Sequence, residues 1–301
     1  MHITWRQIEI FRAVARLGNI TRAASEMGLS QSAASSALAE LESQLGVQLF
    51  DRVGRQVVLN GNGRDFLPRA VDVLQQTQDL ANHFQAGQSG RLQIAASLTV
   101  GNYVLPAVLA QLLAKAPQLH VEAQIVNSRS VVAQLLECRI DLGMIEAAYR
   151  DPLLVTEPWL DDELVVYART DHPLASAAPD LAKLAQCRWL MRERGSGVRR
   201  IMEDVLSPAL GGMRIMLELG SGEAIREAVR HGLGVACASR RELGRELDRG
   251  ELCILPTPGI RLLRQFHLAW HAERRLSANA ECLRACCRAW RDDGLSFPVR
   301  C

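Results

Sequence analysis

The chain has 301 residues, 48% of them hydrophobic, and a formal net charge of +2. That length suits two or three domains with real cores. In residues 1–90 eight arginines face eight carboxylates, which excludes the strongly basic surface of a non-specific nucleic-acid binder.

Residues 1–6 lack the charged-then-apolar pattern of a signal peptide, and a cytoplasmic location is expected. Trp5, Ile8, Phe11, Val14 and Leu17 recur at helical spacing and predict a first helix with one buried face. A short helix over 20–27 follows, capped by Asn19 and ended by Gly28. Ser30 then stands where an N-cap belongs; Leu38, Leu41 and Leu45 share a face, and Gly46 closes the helix. Two short helices joined by a tight glycine turn describe a helix-turn-helix, whose second helix enters a DNA major groove. Gln31, Ser32, Ser35 and Ser36 at the start of that helix are small or amide side chains that reach base edges and phosphates. Taken alone, an Ala/Ser-rich amphipathic helix is equally well an ordinary packed helix.

Residues 49–59 read as a two-stranded wing turning near Gly54. Arg52 and Arg55 on it either follow the phosphate backbone or decorate a solvated hairpin, and their place directly after the helix-turn-helix favours the phosphates. Residues 60–63 break the wing. From 64 to 84 the positions Leu67, Ala70, Val71, Leu74, Ala81 and Phe84 form a seam, expected to pack on a second copy of the same helix. Residues 86–90 end this part.

Beyond Gly90 strands alternate with helices, the pattern of a sheet with helices on its faces. The uncharged run 92–114 is interrupted by Gln93, Ser97, Thr99, Asn102, Pro106 and Gln111 and reads as strand–turn–helix, not as a membrane span. Strands are expected at 92–96, 121–126 and 141–145 with helices at 100–113 and 131–136. A second unit has strands at 163–167, 188–191, 215–219 and 235–238 and helices at 197–206, 223–231 and 240–247. A strand at 263–270 and a helix at 278–291 complete the chain. The expected architecture is therefore an all-α winged helix-turn-helix domain (1–60), a linker and dimerisation helix (61–90), and an α/β two-lobed binding domain (91–301). Its lobes are about 91–160 with 262–301, and 161–261.

Three helix starts converge on the cleft between such lobes: Ser97 and Thr99, Asn127 and Ser128, and Ser196 with Gly197. Ligands of open α/β sheets bind beyond the carboxyl ends of strands, and helix N-termini favour anions. Each serine by itself is also a plain cap. Arg199 is either a countercharge for the anion or a structural ion pair, and Glu146 would repel an oxyanion unless protonated or turned toward Arg199. No enzyme is indicated. Gly195-Ser196-Gly197 is not a nucleophile elbow, because Arg194 and Val198 stand where that motif needs glycine. Gly220-Ser221-Gly222 lacks the third glycine of a dinucleotide fingerprint. Of the eight cysteines, Cys282, Cys286 and Cys287 share an amphipathic stretch with no histidine at zinc-finger spacing, so reduced core thiols are expected and neither metal nor cofactor.

The residues resemble the LysR-type transcriptional regulators along nearly the whole chain. The resemblance rests on Phe11, Ala23-Ala24, the run from Ser30 to Ser35, Leu41-Glu42, the run from Leu45 to Phe50, and Asp51-Arg52. Further on, Leu105-Pro106, Asp141-Leu142-Gly143, the run from Asp171 to Ala175, and Gly232-Leu233-Gly234-Val235 resemble the sensor domain. The segment Arg192-Glu193-Arg194-Gly195-Ser196-Gly197-Val198-Arg199 is similar to that of a subgroup responding to sulfur oxyanions. The resemblance implies a periplasmic-binding-protein-like effector domain, a homodimer or homotetramer on a double-stranded DNA operator, and contact with RNA polymerase. It also implies a small anionic effector such as sulfite; a small organic acid is the alternative, with an enzyme or a free solute-binding protein further off. Ser32 stands where the family commonly has proline, Ser36 where it has a longer polar or basic residue, and Asn60 where it has threonine.

Overall fold

A computed structural model of the chain describes residues 3–53, 56–83, 90–176 and 180–292. Helix α1 (Trp5–Leu17) opens on a capping box in which Thr4 accepts from the Gln7 N–H and the Gln7 side chain accepts from the Thr4 N–H. Helix α2 (Ile20–Glu26) is capped by Asn19. In α3 (Gln31–Leu45) the Ser30 hydroxyl accepts from the Ala33 N–H at 3.2 Å, and Gly46 closes the helix. Ala34, Leu38 and Leu41 turn inward onto Phe11, Val14, Ala23 and Ala24. Strands β1 (Phe50–Val53) and β2 (Gln56–Leu59) pair antiparallel as the wing. The Val57 N–H donates to the Gly18 carbonyl at 3.1 Å, which docks the wing on the end of α1.

Helix α4 (Gly61–His83) begins at Gly61, not at Arg64. Asn60 caps it, its Oδ1 accepting from the Gly63 N–H at 2.9 Å, so asparagine supplies the same kind of side-chain oxygen as a threonine would. Gly63 is required by close approach: a Cβ there would strike the Leu49 carbonyl oxygen and lie 3.0 Å from its carbon. The first half of the apolar seam also differs from expectation. Leu67, Ala70, Val71 and Leu74 are buried in the core of their own chain together with Phe11, so they are not held open for a second copy. The side chain of Ala81 and all of Phe84 lie outside the described residues.

The remaining chain builds a mixed sheet. Strand β3 (Gly90–Ala96), helices α5 (Leu98–Tyr103) and α6 (Leu105–Lys115), strand β4 (Leu119–Ile125), helix α7 (Ser128–Leu136) and strand β5 (Leu142–Ile145) come first. β3 runs parallel to both β4 and β5. The single helix expected over 100–113 is two, because a break at Val104 lets Pro106 sit in the first turn of α6, where its missing N–H costs nothing. Strand β6 (Leu154–Arg169) is three times the length expected there. It is followed by α8 (Leu181–Ala185), β7 (Arg188–Arg192), and α9 (Gly197–Ile201), which continues through a π turn into α10 (Ser207–Leu210). Next come β8 (Arg214–Leu219), α11 (Gly222–Arg230), β9 (Ala236–Ser239), a 3-10 turn at Arg240–Glu242, and α12 (Gly244–Asp248). Strands β10 (Leu252–Leu255) and β11 (Leu262–His271) and helix α13 (Ala278–Asp292) complete it. The short elements α8 and β10 carry too few residues to show a period.

The strand order is β10-β6-β11-β5-β3-β4, with β9 on the side of β6 and β7 paired parallel to β8. β6 and β11 run antiparallel from Leu164 opposite Leu262 to Leu154 opposite His271, with a bulge at Phe266/His267. One end of this ribbon packs in a core of Leu92, Ile94, Val108, Met144, Trp159, Phe266, Leu283, Cys286 and Cys287. The other end packs with Leu164, Val166, Trp189, Met191, Val198 and Val235. Two lobes thus share one ribbon. The lobe built on β3 is also tied to α4, since the Arg274 guanidinium donates to Asp72 at 3.3 Å, to the Ile140 carbonyl at 3.1 Å and to Asp141 at 3.2 Å. Among the described residues no helix is long and apolar enough to cross a membrane.

Candidate DNA interface and effector cleft

The capped start of α3 stands clear of the core. Gln31, Ser32 and Ser36 are exposed and Ser35 is half-buried, while the Ser32 hydroxyl shares a 3.0 Å hydrogen bond with that of Ser30. Arg52 is exposed on β1 opposite Val57; Arg55 lies outside the described residues. The face presented to solvent is therefore one amide and a row of hydroxyls, flanked by an arginine.

In the second module the eight predicted cleft residues divide into two groups. Ser128, Ser196, Gly197 and Arg199 line a cavity of about 550 Å³ between the lobes. Ser97, Thr99, Asn127 and Glu146 do not line it. Asn127 caps α7 through the Ser130 N–H and reaches across to Glu193 at 3.3 Å. The Ser128 hydroxyl accepts from the Glu146 N–H at 3.3 Å, which leaves its own proton to donate. Ser97 and Ser196, 1% and 5% exposed, are buried at the starts of α5 and α9, and among the described residues neither hydroxyl has a hydrogen-bond partner. A buried hydroxyl without a partner costs about 1–3 kcal/mol.

Glu146 does not turn toward Arg199. Its Oε2 accepts from Arg264 at 2.7 Å and its Oε1 from the Thr99 N–H at 3.3 Å, because β11 brings Arg264 against the end of β5. Arg199 meanwhile donates to Glu203 at 2.7 Å, to Glu218 at 2.5 Å and to the Arg192 carbonyl at 3.0 Å. Its hydrogen bonds to Glu203 and Glu218 hold the guanidinium above its ordinary value. Arg264 is the centre of a fully buried network. It also donates to Asp162 at 2.7 Å and to the Thr99 hydroxyl at 3.1 Å, and that hydroxyl donates to Glu242 at 2.7 Å. Asp162 accepts from the Ser239 hydroxyl at 2.6 Å as well.

Burial works against the charge on Glu146, but Arg264 and Thr99 outweigh it and hold the carboxyl below its usual range. Burial likewise opposes the charge on Arg264, and Glu146 with Asp162 overcomes it. For Glu242 burial wins, and its carboxyl is pushed up despite the Thr99 hydroxyl and Arg264. The lobes are therefore bonded to each other by charges that do not line the cavity.

Two family models cover most of the chain: the bacterial regulatory helix-turn-helix protein, lysR family, over residues 5–64, and the LysR substrate binding domain over residues 85–292. The chain belongs to the LysR family of transcriptional regulators. It is 44% identical over 277 residues to the uncharacterized HTH-type transcriptional regulator YeiE of Escherichia coli (strain K12), covering 92% of this chain and 94% of that one. Among solved structures, a full-length OxyR variant from Pseudomonas aeruginosa matches with a TM-score of 0.74 and 25% identity, covering 96% and 95% of the two chains. The CcmR regulatory domain of Synechocystis PCC6803, in complex with 2-PG, matches with a TM-score of 0.64 and 30% identity, covering 68% of this chain and 99% of that one. The protein is a DNA-binding transcriptional regulator that responds to small-molecule effectors and acts as an oligomer, and it is not an enzyme.

Sequence reasoning about this regulator misses Arg264, Asp162 and Glu242. One signal for Arg264 is present in the chain: Leu262, Arg264, Phe266 and Leu268 alternate, so an arginine occupies an inward position of an otherwise apolar strand. An inward charge at period two calls for a buried partner.

Proposed function

We propose that the effector of this regulator is a small inorganic sulfur oxyanion, sulfite first, held between the lobes by the hydroxyls of Ser128 and Ser196 on the cavity lining, with that of Ser97 behind them. The observation that carries this reading is the pair of buried, unpartnered hydroxyls, Ser97 on one lobe and Ser196 on the other. Hydroxyl donors approached by short backbone turns suit a compact acceptor-rich ion, and the proton left on Ser128 adds a third donor. Gly197 brings the α9 backbone close to that place, and Asn127 with Thr99 and Glu146 keeps the surrounding loops fixed. The choice of ion rests on the resemblance of the segment from Arg192 to Arg199 to that of regulators responding to sulfur oxyanions. A small organic acid is the second reading, favoured by the similarity to a regulatory domain solved with 2-PG.

Thermal unfolding against sulfite, sulfate, thiosulfate, phosphate and small organic acids tests the reading. An effector at ~100 times its Kd adds about 2.7 kcal/mol to the folded state. Sulfite is expected to raise the transition, and Ser196→Ala to abolish the shift while leaving DNA binding without effector unchanged. A shift with an organic acid alone would put the second reading in its place.

On the DNA side, Gln31, Ser35 and, less directly, Ser32 and Ser36 read bases, while Arg52 and Arg55 contact phosphate. Gln31→Ala is expected to reduce discrimination between operator and random DNA by about 1–3 kcal/mol. Arg52→Ala should weaken binding to both and lower the salt slope by about 1, measured by fluorescence anisotropy over a salt series. A changed sequence preference with an unchanged slope would move Arg52 from phosphate to base. The working unit is a dimer or tetramer in the cytoplasm that contacts RNA polymerase, divided at about residues 60 and 90 into DNA-binding, linker and effector parts.

A further inference from the structure

The cavity between the lobes is larger than an inorganic oxyanion needs. At about 550 Å³ it falls within the roughly 300–1,000 Å³ of pockets that enclose organic ligands. Only its floor carries the hydroxyls of Ser128 and Ser196; its mouth is cationic. Arg129 enters from α7 on one lobe and Arg194 from the loop after β7 on the other. The lobes touch between them, the Arg129 N–H donating to the Gly195 carbonyl at 3.4 Å. Among the described residues neither guanidinium has an ion pair or a hydrogen bond. Most other arginines near the cleft are committed: Arg192 to Glu193, Arg199 to Glu203 and Glu218, Arg264 to Glu146 and Asp162. Arg200, also on the cavity wall, lies over the Tyr149 ring at 5.8 Å and meets the exposed Asp204 at 3.5 Å. Among the described residues Glu203 is the one carboxylate on the lining, and Arg199 already holds it.

We infer that this mouth is a second anion subsite, in which Arg129 and Arg194 grip a phosphoryl, sulfuryl or carboxylate group from opposite lobes. The inference rests on the floor being the effector site proposed above, and it adds to the single oxyanion held there a second class of occupant, a small molecule with two acidic groups. One acid meets the hydroxyls of Ser128 and Ser196 and the other meets the arginines. Unpaired like charges on facing walls repel; an anion between them turns that repulsion into two attractions and draws the lobes together. Guanidinium groups suit the task because they present two parallel N–H donors to a planar or tetrahedral oxyanion.

Isothermal titration of the full-length protein with sulfite and with pyrophosphate, in metal-free buffer, separates the subsites. Wild type is expected to bind pyrophosphate at least tenfold more tightly than sulfite. The double variant Arg129→Gln/Arg194→Gln should lose that advantage and keep its sulfite affinity within twofold. Both arginines are exposed, so the variant is expected to unfold at the wild-type temperature. The inference is overturned if pyrophosphate fails to bind wild type, if the double variant binds it equally well, or if sulfite and pyrophosphate weaken together. Failure of the sulfite reading has a separate signature: no heat with sulfite beside arginine-dependent binding of pyrophosphate.

Discussion

Arg264→Met is expected to lower the unfolding free energy of the effector module by about 3–5 kcal/mol, the cost of removing one partner from a buried ionic cluster. Glu146 and Asp162 each lie 2.7 Å from the guanidinium and are themselves almost fully buried. Methionine keeps the packing of the stem but takes from Glu146 its ion-pair partner, leaves Asp162 with Arg241 alone at 3.3 Å, and removes a donor from the Thr99 hydroxyl. Denaturant unfolding read separately for the two modules checks this. The loss belongs to the effector module, and the winged helix-turn-helix, whose core contains none of these groups, keeps its helices. Adding Glu146→Leu and Asp162→Leu should restore most of the stability, because apolar replacement of a whole buried cluster is often neutral or better. A single variant within about 1 kcal/mol of wild type would show that water reaches the network and screens it.

Gly197→Ala is expected to abolish the effector response with little change in DNA affinity when no effector is present. A Cβ on Gly197 would sit 2.5 Å from Glu146 Cβ and 3.1 Å from its Cδ, overlapping the carboxylate oxygen as well. Glu146 cannot swing aside without leaving Arg264 and the Thr99 N–H. The start of α9 must therefore back away, carrying Ser196 from the opposite hydroxyls. Gly244→Ala is the control, since nothing lies within 4 Å of the added atom. Both variants are compared by effector titration followed with DNA-binding anisotropy. A wild-type response in Gly197→Ala would mean that the lobes do not need to meet at this contact.

The two predictions draw on parts of the molecule that differ in how plainly they are written in the chain. The winged helix-turn-helix was legible because its determinants are local. Asn19, Ser30, Gly28 and Gly46 punctuate the helices within a few residues of the faces they set, and Leu38 and Leu41 take the inward positions that their spacing requires. The serines at the starts of α5, α7 and α9 were legible for the same reason. The start of α4 was misplaced because glycine, asparagine and glycine in succession read as a break, whereas Asn60 caps a helix that begins among them. The network around Arg264 was out of reach of local rules. Its bonds join residues 102, 118 and 165 positions apart, and no spacing announces which inward charge on one strand meets which on another. The burial of Leu67 to Leu74 within their own chain has a similar cause: a helical seam specifies an apolar partner and not whose helix supplies it.

The ribbon of β6 and β11 bears on how such a sensor changes through time. The lobe built on β3 is assembled from two stretches far apart in the gene and the other lobe from the stretch between them, and both depend on the same two strands crossing between them. Neither lobe can be exchanged as a cassette between relatives without cutting the ribbon and unmaking two cores at once. New ligand preferences are accordingly expected to arise by substitution at strand ends and helix starts, on a frame inherited whole. Divergence in what is sensed and continuity in how the lobes are joined are thus enforced by the same pair of strands.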